Sequence, residues 1–309
     1  MLKICFAGLG SIGQRHLKNI AKLLQKEKKE FYIDAIRSGD RELQDEIKQY
    51  IRQEYRNFAE LPSDYDIFFV TNPTVNHLET IRKAALHTEH MFIEKPVFDR
   101  YYSRLDTLKM KDGNIYYVAC PLRYIACLNY IKKKISTERI YSVRCISSSF
   151  LPDWRKGTDY RKIYSADAAR GGGVTLDLIH ELDYITDLFG MPEHSLHVKG
   201  KYSDLEITSD DLSLYILQYA DKLVEIHLDY FGRETVRRLE LYCRNYVIKC
   251  DLIANEIKYV YPDHTEKIKF ETQDIYEEEM KAFLGMLEGK TKNSNTIQHA
   301  NQVLKLAVQ

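Results

Sequence analysis

The chain has 309 residues, 44% apolar and 29% charged, which excludes a disordered or fibrous polymer and leaves room for two packed units. Lys+Arg and Asp+Glu are equal at 45 each, and a formal charge of zero argues against a dedicated nucleic-acid or anionic-membrane binder. No apolar run approaches the about 18 residues of a membrane span.

The opening run Met1–Ala7 is broken at once by Gly8, Gly10 and Gly13, then by Gln14-Arg15-His16, so it is not read as a secretory leader. Leu2–Ala7 reads as a strand, 16–25 as a helix, 31–36 as a second strand and 42–56 as a charged helix. Strands are expected at 66–71, 91–94 and 115–119, with a helix over 77–86. This alternation implies right-handed crossovers and a mostly parallel sheet. After about Pro121 the texture changes. A helix over 122–135 leads to a strand over 141–150, a polar-aromatic stretch over 151–170, and a helix opened by Gly171-Gly172-Gly173 and running to Phe189. Strands follow at 212–219, 223–230, 239–243, 246–252, 256–261 and 267–270, before two closing helices at 274–287 and 296–307. Val224, Ile226 and Leu228 alternate with Glu225 and His227, the mark of an antiparallel sheet with one covered face. The expected fold is therefore α/β: a dinucleotide-binding unit over residues 1–120, and an α/β unit with an open, mostly antiparallel sheet over 121–309, with a ligand cleft between them. The six cysteines contain no CxxC pair, so reduced thiols in a cytoplasmic protein are expected, and no Cys/His spacing suggests a metal.

Gly8-Leu9-Gly10-Ser11-Ile12-Gly13 fits G-x-G-x-x-G between the first strand and the first helix. There Gly8 allows a tight turn, Gly10 admits a pyrophosphate, and Gly13 lets helix and strand pack closely. The N–H groups of Ser11 and Ile12 open the helix end toward the phosphates. The second strand runs into Arg37 and Ser38, which suit a 2′-phosphate and favour NADP over NAD; the alternative is a solvated Arg37 with Asp40 on the ribose. Thr71-Asn72-Pro73 with His77, and Glu94-Lys95-Pro96, stand at the ends of the next strands, where an open α/β sheet binds its ligands. A lysine there can polarise a carbonyl or stabilise an alkoxide.

Together these residues resemble the glucose-fructose oxidoreductase/inositol dehydrogenase (Gfo/Idh/MocA) family. The likeness spans nearly the whole chain, through Gly8–Gly13 with His16, Thr71-Asn72-Pro73 with His77, Glu94-Lys95-Pro96, and Gly171-Gly172-Gly173 leading to Asp177, His180 and Asp183. It implies an NAD(P)-dependent sugar oxidoreductase with Lys95 near the nicotinamide, a cis Lys95–Pro96 bond, and homodimers or homotetramers formed through the open sheet face. Such a face would leave a large apolar patch for a partner to cover.

Asp177 and His180 are three apart on a helical pattern and so share one face. His180 can take a hydroxyl proton as hydride leaves, or be a satisfied core histidine; Asp177 can orient it, or be a first-turn carboxylate favoured by the helix dipole. The resemblance makes His180 the acid/base. It places an aspartate four residues earlier, where Leu176 stands, so Asp177 departs from the pattern by one residue, about 100° of helix. Arg123, Trp154, Tyr160, Arg161 and Tyr164 are the substrate candidates, since aromatic faces with charged neighbours suit a sugar, sugar acid or nucleotide sugar. The run from Asp159 to Tyr184 resembles a branch of the family found with bacterial surface-sugar pathways. A non-catalytic NAD(P)-binding sensor is the alternative, and the joint presence of Lys95 and His180 favours the enzyme. A reductase of a non-sugar substrate is a third reading, against which the polar-aromatic stretch counts.

Overall fold

The computed structural model describes residues 1–39 and 42–309, so Asp40 lies outside the described residues. The chain divides into two compact units. The first comprises Met1–Pro121 and Asp274–Leu304, the second Leu122–Gln273 and Lys305–Gln309.

The first unit holds β1 (Leu2–Ala7), α1 (Ser11–Lys26), β2 (Phe31–Ile36), α2 (Asp45–Lys48), β3 (Ile51–Tyr55), β4 (Tyr65–Val70), α3 (His77–Ala84), β5 (Thr88–Ile93) and β6 (Tyr116–Val118). They form one parallel sheet in the order β3-β2-β1-β4-β5-β6. Ile4, Cys5 and Phe6 of β1 are all fully buried, as a central parallel strand covered on both faces requires. The register places Ala7 opposite both Ile36 and Val70, Val70 opposite Ile93, and Ile93 opposite Val118, so these strands end along one line.

The helix expected over 42–56 is corrected. It shrinks to the four residues of α2, and Ile51–Tyr55 becomes an edge strand paired to β2. A free edge of β2 outweighs a weak helical pattern, and the pairing is reinforced across strands. Arg52 bonds Asp34 through Nε at 2.9 Å and Nη2 at 2.5 Å, and Tyr65 donates to the same fully buried carboxylate at 2.7 Å.

The second unit holds α4 (Ala126–Lys134), β7 (Ile140–Phe150), α5 (Val174–Asp177), α6 (Ile179–Phe189), β8 (His194–Gly200), β9 (Leu212–Gln218), β10 (Leu223–Asp229), β11 (Phe231–Cys243), β12 (Val247–Asp251), β13 (Glu256–Val260) and β14 (Thr265–Lys269). The sheet order is β14-β13-β12-β11-β7-β10-β9-β8, antiparallel throughout except for the parallel pair of β7 and β10. Val143, Cys145, Val224, Ile226, Leu228, Leu239, Leu241 and Ile248 fill its covered side. The edge strand β8 carries no expectation in the sequence reading, because its Leu196 and Val198 lie exposed among polar neighbours. On the open face the expected large apolar patch reduces to Leu196, Val198, Ile216 and Leu223 at that end. Beyond it Glu225, Arg144, Glu240, Lys249, Lys258 and Lys267 stand in one cross-strand row.

The continuous helix expected from Gly171 to Phe189 is also corrected. Asp210 accepts from the Thr175 backbone N–H at 2.9 Å and hydroxyl at 2.7 Å, so the first turn starts at Val174. Leu178 leaves helical geometry at φ −100° and ψ 20°, breaking the helix between Asp177 and His180.

Two helices close the chain, α7 (Ile275–Leu287) and α8 (Ile297–Val308). Residues 274–304, expected with the second unit, pack with the first. Asp274 caps α7 through the Tyr276 N–H at 2.9 Å, and the Phe283 ring meets Phe92 at 5.3 Å and Phe69 at 6.2 Å. An apolar stripe buries where a sheet face needs cover, whatever the distance along the chain. Among the described residues no helix is long and apolar enough to cross a membrane, and the six cysteines are free and buried.

Candidate active site

The common end of the strands builds the candidate dinucleotide site of the first unit. The Gly8 N–H donates to Ile36 O at 3.1 Å, Thr71 N–H to Ala7 O at 3.0 Å, Glu94 N–H to Val70 O at 2.9 Å, and Ala119 N–H to Ile93 O at 2.7 Å. Gly8, Thr71 and Glu94 therefore stand side by side just past the sheet. Gly8 turns the chain with φ +91°, and a Cβ on it would sit 2.8 Å from Asn72 Cα. A Cβ on Gly13 would sit 2.6 Å from Gly8 O and 2.8 Å from Thr71 Oγ1, itself a donor to Gly8 O at 2.6 Å.

Gly10 differs. Its φ of −68° is ordinary and a Cβ there would meet nothing of the protein within 4 Å. The fold does not need glycine at this position, whereas a pyrophosphate seated on the N-terminus of α1 does. No acidic residue occupies the first turn of α1 to oppose an anion. A pocket of about 360 Å³ opens here, bordered by Gly8, Gly10, Arg37, Ser38, Asn72 and Pro73. These residues fit a dinucleotide. Gly8→Ala is expected to weaken NADH binding about 10- to 100-fold, from the cost of a strained backbone. Fluorescence titration reads this, and an unchanged Kd would count against the loop.

Arg37 is held by Glu54, Nη1 to Oε2 at 2.7 Å. Arg56 also borders the pocket and donates to Arg37 O at 3.2 Å and Gly39 O at 2.8 Å. Ser11 and Ile12 sit in the first turn of α1.

His77 is buried, with Nε2 2.9 Å from Asn72 O and Nδ1 3.1 Å from Pro96 O. Burial pulls its imidazole below the ordinary value, against these carbonyls. It therefore ties the Asn72 loop to the loop after β5. The Lys95–Pro96 bond is cis. Beneath Lys95, Glu94 Oε1 lies 2.5 Å from His16 Nε2, and Oε2 accepts the Lys95 N–H at 3.1 Å. Burial pushes the Glu94 carboxyl up, but the His16 hydrogen bond, with the charges of His16 and Lys95, outweighs it and the net shift is downward.

In the second unit Asp177 accepts from the Tyr230 hydroxyl at 2.6 Å. Tyr230, fully buried between β10 and β11, packs edge-on against Trp154 at 5.1 Å, and Trp154 Nε1 donates to Ser149 Oγ at 2.9 Å. Burial, and after it the charge of Asp177, pushes the Tyr164 phenol up to about 12; its hydroxyl donates to Gly171 O at 2.6 Å. Trp154 and Asp177 thus both meet Tyr230, and Tyr164 lies within reach of the Asp177 charge. His180 Nε2 accepts from Arg237 Nη2 at 3.0 Å.

Two further substrate candidates form ion pairs within the second unit. Arg123 is buried, with Nε and Nη2 each 2.7 Å from the Asp183 carboxylate and Nη1 2.9 Å from Asp187. Arg161 is exposed and bonds Asp159 and Glu206 at 2.8 Å each, while the Tyr160 hydroxyl accepts the Glu206 N–H at 3.1 Å. These contacts pin the 160s segment to the loop before β9. The sequence reading missed Tyr230, Glu181 and Arg237 as site residues. The signal for Arg237 was its place in the alternation of Leu239 and Leu241, a charge on the covered face of the sheet.

Among proteins of known sequence, the oxidoreductase YrbE of Bacillus subtilis (strain 168) is 26% identical over 198 residues, 62% of this chain and 55% of that protein. The match thus spans little more than half the relative's length. Among solved structures, the UDP-N-acetylglucosamine 3-dehydrogenase GnnA of Acidithiobacillus ferrooxidans superimposes with a TM-score of 0.77 at 16% identity, covering 100% of this chain and 96% of that one. The WlbA dehydrogenase of Bordetella pertussis, in complex with NADH and UDP-GlcNAcA, gives 0.77 at 17% identity, covering 99% and 94%. These identities speak for the fold. The model of an oxidoreductase family with an NAD-binding Rossmann fold matches residues 2–119, and that of the GFO/IDH/MocA C-terminal domain matches residues 128–249. With both halves matched, on a first unit whose parallel sheet carries the glycine loop and a second unit that holds Asp177 on α5 and His180 on α6, the chain belongs to the GFO/IDH/MocA oxidoreductase family.

Proposed function

We propose that this oxidoreductase moves hydride to or from a secondary-alcohol carbon of a sugar, sugar acid or nucleotide sugar, with NADP preferred over NAD. The observation that carries the reading is the single row of Gly8, Thr71 and Glu94-Lys95 at the sheet edge, beside a Gly10 left open for a ligand. Bound NAD(P) supplies or takes the hydride at its nicotinamide C4. The chain's own residues handle the proton. His180 takes it from the substrate hydroxyl in oxidation and returns it in reduction, while the Lys95 ammonium hydrogen-bonds the same oxygen and stabilises its developing charge. Glu94 and His16 orient Lys95 from beneath. Trp154, Tyr164 and Asp177 offer ring faces and hydrogen-bonding groups suited to a sugar, with the buried Tyr230 bracing Trp154 and Asp177. The nucleotide-sugar dehydrogenases among the similar structures support that substrate class; a role in surface-sugar metabolism is part of the same proposal. Arg37 and Arg56 at the pocket support a 2′-phosphate. A cytoplasmic homodimer or homotetramer, formed through the open sheet face, completes the proposal.

Titration of the purified protein with NADPH and NADH, followed by nicotinamide fluorescence, tests it. NADPH is expected to bind more tightly, and Arg37→Asp to weaken NADPH about 10- to 100-fold while sparing NADH, as the loss of a charge-assisted pair requires. Turnover is then expected with sugars or nucleotide sugars. A folded, cofactor-free sample that binds neither dinucleotide would sink the reading.

A further inference from the structure

We propose that Arg237, anchored by the buried carboxylate of Glu181, is a positioning residue that keeps His180 a neutral imidazole with Nε2 unprotonated, and that this charge pair sets the acid limit of activity. The inference deepens the reading above and rests on His180 as the acid/base. Arginine is a donor only, so the 3.0 Å contact from Nη2 requires a lone pair on His180 Nε2 and leaves the ring proton on Nδ1. A cation there opposes the imidazolium; the Glu181 carboxylate, with Oε1 3.5 Å from the same nitrogen, favours it. The guanidinium stands nearer than the carboxylate.

The pair is built in. Glu181 is fully buried on α6, and Arg237 Nε lies 2.8 Å from its Oε1, an ion pair not aligned as a hydrogen bond. On its other side Glu181 Oε2 lies 3.8 Å from Cys145 Sγ of β7, which lies 2.9 Å from the Tyr184 hydroxyl. Burial pushes both of these groups well up, so they stay protonated and neutral. The guanidinium is therefore the charge that compensates Glu181 in this cluster. When a substrate O–H bond breaks and its proton forms an N–H bond at Nε2, the Arg237 N–H loses its acceptor. Glu181 then lies close enough to stabilise the new imidazolium. Arg237 and Glu181 thus act in opposite directions on one nitrogen.

NMR titration of histidine-labelled protein, with His180→Asn to assign the signal, is run beside the pH profile of kcat/KM. Arg237→Gln is expected to raise the His180 pKa and the acid limb together by about one pH unit or more, and Glu181→Gln to lower both. Arg237→Lys is expected to keep the limb near its normal place, and the double variant to return toward it. A folded Arg237→Gln protein with the limb unmoved or shifted down would overturn the proposal. If that variant does not fold, an unmoved His180 signal in Glu181→Gln overturns it equally. Undiminished turnover in His180→Asn, with the NMR shifts present, would instead remove the acid/base role and leave the charge pair standing.

Discussion

Replacing His180 by alanine is expected to lower turnover by about 10²- to 10⁴-fold, the usual cost of removing a positioned acid/base. The loss should lie in kcat, since His180 sits on α6 of the second unit while the glycine loop belongs to the first. NADPH and NADH titrations should be unchanged. The proton has to go somewhere as hydride leaves the carbon, and His180 offers Nε2, a nitrogen that accepts a hydrogen bond from Arg237. Turnover near the normal rate would reassign the role. Unchanged turnover together with a weakened dinucleotide titration would place His180 in binding.

Arg123→Ala is expected to cost about 3–5 kcal/mol of stability, because it leaves a buried carboxylate without its cation. Arg123 meets Asp183 with two parallel 2.7 Å bonds, at side-chain exposures of 5% and 12%. Asp187 keeps Lys132 at 2.7 Å, so the loss centres on Asp183. Denaturant unfolding measures it. The remaining folded protein should keep its KM, because the buried Arg123 guanidinium is bonded to Asp183 and Asp187 of α6. A raised KM with normal stability would restore the substrate role.

Strong local patterns were legible along the chain. The ranges of β1 and β2 follow from mostly apolar runs, each holding one charge (Lys3, Asp34), ended by glycine or charge, and β10 from its alternation. Gly8, Gly13, Thr71 and Glu94 were legible because a parallel sheet brings the ends of its strands to one edge, and motif and edge coincide. The mistaken helix over 42–56 and the absent β8 share one cause. Both segments are edge strands, whose conformation is set by pairing to a neighbour more than by their own side chains.

Charged residues divide differently. Residue type suggested that Arg123 and Arg161 meet substrate, and gave no sign that Asp183, Asp159 and Glu206 pair with them. A guanidinium takes whichever carboxylate the fold brings near, and no spacing along the chain encodes that partner. Arg237 was passed over for the same reason in reverse: its partners, Glu181 and His180, lie more than fifty residues away in sequence. The sequence by itself determined the fold class, the glycine loop and the strand-end residues, because periodicity and turn chemistry are local. Only the tertiary structure decided the packing of α7, the helix break after Asp177, and the partner of each buried charge, because burial and ion pairing depend on distance in space.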